Sequence, residues 1–69
     1  MGKDIHAEEE RIRQTIRDAL KAQKVRKYKL ADEIGMGKST LVQRLEGKSQ
    51  FKLSEIIEIC DVLGINITI

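Results

Sequence analysis

Apolar residues recur at three- and four-residue steps along most of this chain, with charged residues filling the intervals. That period predicts helices. Ile12, Ile16, Ala19 and Leu20 make one apolar face, and the acidic run Glu8, Glu9, Glu10 lies in or near the first turn, where it complements the helix dipole. A first helix is therefore expected from about His6 to about Gln23. A second, short helix is expected from about Lys27 to Ile34, with Leu30, Ala31 and Ile34 inward and Gly35 ending it as a left-handed cap. A third runs from about Lys38 to Glu46, where Gly47 stops it. A fourth spans Leu53 to Leu63, with Leu53, Ile56, Ile57, Ile59, Cys60 and Leu63 assigned inward and Gly64 as terminator. Residues 65–69 break the period. Ile65, Asn66, Ile67, Thr68 and Ile69 alternate apolar and polar, which is a strand signature.

The middle two helices carry more information than the rest. Two short helices joined by a tight glycine-containing turn describe a helix-turn-helix over about residues 27–46. Ala31 is small where the helices must approach closely, Gly35 supplies the backbone freedom the turn needs, and Met36 and Leu41 fill the space beneath it. On the third helix Leu41 and Leu45 lie about 40° apart and define the buried side. Ser39 and Gln43 then fall nearly opposite, with Thr40 and Glu46 to either side and Lys38 at the open end. Such a face suits base edges and phosphates better than a protein groove.

Composition narrows the class. The 69 residues hold 41% hydrophobic but only 3% aromatic side chains, so one aliphatic core is expected in a single domain over residues 1–69. One cysteine cannot form an internal disulfide, no apolar run could cross a bilayer, and the start of the chain has no signal-peptide pattern, so a cytoplasmic location is expected. The net charge of +2 conceals a partition. Residues 1–23 balance, residues 24–52 carry eight Lys and Arg against three Asp and Glu, and residues 53–69 carry three acids and no base. A basic middle coinciding with the helix-turn-helix points to an anionic partner.

The stretch Leu30-Ala31-Asp32-Glu33-Ile34-Gly35-Met36-Gly37-Lys38-Ser39-Thr40-Leu41 resembles the lambda-repressor-like (Cro/C1, Xre) helix-turn-helix family, and Gly47-Lys48 with residues 53–65 continues the likeness in register. The resemblance implies an all-α, four-helix bundle that docks its third helix in the major groove of double-stranded DNA. By position it implies base reading by Lys38, Ser39 and Gln43, with Gly37 and Thr40 beside them on the DNA backbone. It also implies a phosphate clamp of Lys27, Lys48 and Ser49. Gly-Lys-Ser occurs twice, at 37–39 and 47–49, so the reading helix is flanked by a cation and backbone amides at both ends. Three departures stand out. Arg44 occupies a position the family usually fills with an apolar residue and is expected to reach a phosphate instead. Arg26 stands where Ser or Thr usually caps the second helix. Glu46 is acidic near the DNA face, to be paired with Lys48 or to accept from cytosine.

The family's fifth helix is replaced by the strand at about 65–69. A lone strand of that length is unstable, so Ile65, Ile67 and Ile69 are expected to pair with a second copy across a twofold axis, as in strand-mediated dimers of this family; the alternative is that Ile65 completes the core and the rest frays. The expected activity is that of a small transcriptional regulator, a repressor on a palindromic operator. The alternative is an antitoxin that neutralises a toxin or other protein partner and regulates itself through DNA. No enzyme is expected. Gly37-Lys38-Ser39-Thr40 imitates the end of a P-loop, but Asp32 stands where that motif needs its first glycine, and a helix precedes it rather than a strand. His6 and Cys60 form no metal or nucleophile site, and Tyr28 and Phe51 are expected in packing. No cofactor, metal, small-molecule substrate or membrane is expected.

Overall fold

A computed structural model describes residues 5–67, without the side chains of residues 5 and 6. It contains four helices: α1 (Ile5–Gln23), α2 (Lys27–Glu33), α3 (Lys38–Glu46) and α4 (Leu53–Leu63). The expected all-helical bundle is observed, and each boundary lies within a residue of the spacing-based reading.

Each helix contributes to one aliphatic core. Ile16 of α1, Leu30 of α2, Leu41 and Leu45 of α3 and Ile59 of α4 are all fully buried. Ile12, Leu20, Ala31, Ile56 and Leu63 complete the cluster, and no polar side chain is buried among the described residues. Met36 and Phe51 lean on it from the connecting segments, as expected.

Three assignments are corrected. Leu53 and Ile57 are each 59% exposed rather than inward. Ile56, Ile59 and Leu63 define the buried stripe of α4. On an ideal helix Leu53 and Ile57 lie about 80° and 120° from its centre, beyond what one face can bury against so small a bundle. Cys60, nearer the stripe, is half-buried and packs against the core. Tyr28 is 57% exposed and does not serve as a packing residue. The expected strand is not present in 65–67, which follow Gly64 as irregular chain. Ile65 and Ile67 rest half-buried against the core of their own chain, which already occupies part of their apolar surface. Thr68 and Ile69 lie outside the described residues.

The turns set the helix directions. Gly35 has φ +69°, and a Cβ there would meet nothing within 4 Å, so the left-handed backbone alone selects glycine. The Met36 amide then donates to the Ala31 carbonyl at 2.8 Å, closing α2 and aiming the chain into α3. Gly47 has φ +86° and a second constraint, because a Cβ would lie 3.3 Å from the Arg13 guanidinium carbon. The long α1 also closes the carbonyl ends of its neighbours. Arg17 Nη1 donates to the Leu45 carbonyl in the last turn of α3, and Gln23 Nε2 donates to the Leu63 carbonyl at the end of α4, 2.7 Å away. Arg13 and Arg17 also meet Glu10 at 2.7 and 2.9 Å. The hydrogen bond from Arg13, then that from Arg17, holds the Glu10 carboxyl below its ordinary value.

Candidate nucleic-acid interface

The burial of Leu41 and Leu45 fixes which way α3 faces. With both leucines under 2% exposed, Lys38, Ser39 and Gln43 stand exposed on the far side, and Thr40 is half-buried beside them. Gly37 is the N-cap residue in extended conformation, with no side-chain cap, so the first amides of α3 keep their donors for an outside acceptor. A Cβ at Gly37 would make only ordinary contact with Thr40 Oγ1, at 3.8 Å. The element before it is the helix α2, not the strand a P-loop requires.

Past the other end of α3 lie Lys48 and Ser49. The Lys48 amide donates to the Gln43 carbonyl at 2.9 Å, folding the chain tightly around Gly47. The Lys48 side chain is 72% exposed and sits 3.4 Å from Glu46 Oε1, one of the two partners expected for Glu46. Such an exposed pair contributes little and yields readily to a phosphate. Arg44 is differently placed. Its guanidinium lies between α3 and α4, with Nη2 donating to Glu55 Oε2 at 3.1 Å and Nη1 donating to Ser49 Oγ at 3.1 Å. Nε lies 2.8 Å from Glu55 Oε1 but poorly aligned for a hydrogen bond, so that contact is an ion pair rather than a third bond. Glu55 also accepts from the Lys52 amide at 2.8 Å, as the N3 residue of a capping arrangement. Burial pushes the Glu55 carboxyl up, but the Lys52 amide and the Arg44 guanidinium together outweigh it and leave the group below its ordinary value.

Lys27 opens α2 on the edge of an open groove of about 620 Å³, which runs from the end of α1 to Lys38 at the head of α3. Leu20, Val25 and Tyr28 form its apolar part, and its charged lining is entirely cationic: Arg17, Lys21, Lys24, Arg26, Lys27 and Lys38. Arg17 is tied to Glu10 and Leu45. The other five have no ion-pair partner among the described residues, whereas Glu8 and Glu10 of α1 are matched with Arg11, Arg13 and Arg17. Arg26 is the N-cap of α2 and makes no side-chain cap, as its departure from the usual Ser or Thr led one to expect. Lys24 carries the only positive φ outside glycine among the described residues, +56°. Lys21, Lys24 and Arg26 line this groove with Lys27 and Lys38, and the helix-turn-helix pattern alone does not single them out. The available signal was the density of cations on either side of the break between α1 and α2.

A family model described as helix-turn-helix, of the Cro/C1 type, matches residues 16–69, from the middle of α1 through all the later helices. The chain belongs to the Cro/C1-type helix-turn-helix family. No curated protein and no solved structure matches the chain. The Cro/C1-type family consists of DNA-binding domains of transcription regulators, which fits the polar face of α3 and the cationic groove next to it. No cluster of His, Cys, Asp or Glu among the described residues could hold a metal ion, and no helix among them is long and apolar enough to cross a membrane.

Proposed function

We propose that this Cro/C1-type chain is a sequence-specific transcriptional repressor that acts in the cytoplasm on double-stranded DNA and is not an enzyme. The observation that carries the reading is the continuity of exposed polar α3 with a groove of unpartnered cations. Five cations left unmatched in a chain that pairs its other arginines set up a positive field that favours a polyanion. In this reading Lys38 reads guanine acceptors, Gln43 reads adenine, and Ser39 contributes a short hydrogen bond between them. Lys27, Gly37, Thr40, Lys48 and Ser49 hold the backbone on either side, with Arg44 behind Ser49. Two copies of the chain bound to a palindromic operator place their reading helices about 34 Å apart. Fluorescence anisotropy on a selected duplex tests the core of this reading: affinity should fall steeply with salt as counterions are released. Absence of duplex binding at low salt would reject it.

The antitoxin reading rests on a different surface. On α4, Leu53 and Ile57 are exposed, and Ile57, Cys60 and Ile65 line an open groove together with Glu58 and Asp61, neither of which has an ion-pair partner among the described residues. A basic protein partner would complement that face. Ile57→Asp should abolish toxin neutralisation in co-expression while leaving DNA affinity unchanged.

A further inference from the structure

Arg44 is a charged residue at a position where an apolar side chain would serve the bundle as well. Its side chain and that of Glu55 are only 15% and 16% exposed. Mostly buried ion pairs of this kind are often matched or bettered in stability by apolar replacements, because desolvating two charges consumes most of their attraction. The pair therefore calls for an explanation other than stability, and its geometry offers one. Through Arg44 Nη1 it grips Ser49, and through Glu55 Oε1 it grips the Lys52 amide, so one two-residue bridge fastens both ends of the segment from 49 to 52 between α3 and α4. An apolar side chain at position 44 could hold neither Ser49 nor Glu55.

We infer that the Arg44–Glu55 pair is a positioning device that holds the α3–α4 connection in place so that Lys48 meets the DNA backbone in fixed register with the reading helix. Arg44 itself faces away from the nucleic acid and acts through Ser49 and Lys48. The inference rests on the DNA-binding reading above and gives Arg44 and Glu55 the role of positioning residues. Lys48 is anchored on its α3 side by its own amide bond to Gln43 and by Gly47. Its remaining freedom lies on the α4 side, which is the side the ion pair closes. Glu55→Gln takes the charge out of the bonds to Arg44 and to the Lys52 amide, leaving a neutral and weaker acceptor, so the loop that carries Lys48 is held less firmly on its α4 side.

Two measurements test this, one without DNA. In hydrogen exchange on the free protein, Glu55→Gln should speed exchange of the Lys52 amide and its loop neighbours while the amides of Ile16 and Leu41 stay protected. Unchanged loop exchange would overturn the inference whatever the protein binds. The second is a double-mutant cycle by anisotropy on a selected duplex across a salt series. In the wild-type background Lys48→Ala should lower the salt slope by about one unit. In the Glu55→Gln background the same substitution should change the slope by much less. Equal losses in both backgrounds would overturn the inference while leaving DNA binding standing, whereas a wild-type chain that binds no duplex would overturn both. Should Glu55→Gln melt below the assay temperature, Arg44→Met, which releases Ser49 and Glu55 from the bridge and leaves both residues in place, takes its position in the cycle with the same expected outcomes.

Discussion

Replacing Lys24 with glycine should make the protein more stable and a poorer DNA binder at once. Lys24 follows the last turn of α1 with φ +56°, and the Val25 amide reaches back to the Leu20 carbonyl at 2.9 Å in the closure that glycine normally serves. An L side chain in the left-handed region costs roughly 1–2 kcal/mol. Glycine relieves that but loses roughly 0.5–1 kcal/mol through the extra freedom of the unfolded chain. The net gain expected is about 0.5–1 kcal/mol, or roughly 2–8 °C in Tm for a domain of this size. The same change removes one of five unpartnered cations from the groove. The slope of log affinity against log salt should therefore fall by about one unit. Lys24→Ala separates the two effects, since it loses the cation and keeps the strained backbone. Circular-dichroism melts and anisotropy titrations on the three proteins check both halves. Lys24→Gly with unchanged or lowered Tm would refute the strain argument, and an unchanged salt slope would refute the role of the groove.

Other outcomes follow from the same structure. Gln43→Ala should weaken operator binding by about 1–3 kcal/mol in anisotropy while leaving binding to unrelated duplex nearly intact, because it removes a base contact and no charge. Leu41→Ala, at a site with no solvent exposure, should cost about 2–5 kcal/mol in urea unfolding, a large share of the stability such a domain can have. Glu55 has a folded-state carboxyl below its ordinary value of 4.5, so its contribution is fully present above about that pH and is lost as pH falls through the lowered value. The stability difference between wild type and Glu55→Gln should therefore be largest near neutral pH and shrink on acidification, and a difference that grows with acid would contradict the assignment.

The helices and turns were legible because each rests on local chemistry. Period, terminators and the two buried leucines of α3 all act within a few residues, and Gly35, Gly47 and Gly64 do adopt positive φ where each helix stops. What escaped depends on the rest of the fold. Leu53 and Ile57 look as apolar as Ile56, and only the size of the bundle decides how wide a stripe of α4 is covered. Tyr28 looked like a packing residue, yet it borders the cationic groove because the turn between α1 and α2 brings Lys21, Lys24 and Lys38 around it. The Arg44–Glu55 pair joins residues on two helices, and no helical period foretells it. Residues 65–69 alternate apolar and polar as a paired strand would, yet Ile65 and Ile67 lean on the core of their own chain. The site shows the same division. The exposure of Lys38, Ser39 and Gln43 follows from the wheel of α3, but the cations at the end of α1 join them only through the chain reversal at residues 24–26.

The most direct test of the central claim is a selection from random duplex DNA with the purified chain, sequenced for half-site content and spacing. The account predicts enrichment of a short motif repeated with inverted symmetry, its half-sites about one helical turn apart. Gln43→Ala should relax the base preference at one position of each half-site. A selected pool indistinguishable from the input, in conditions where the protein binds duplex, would contradict sequence reading by α3.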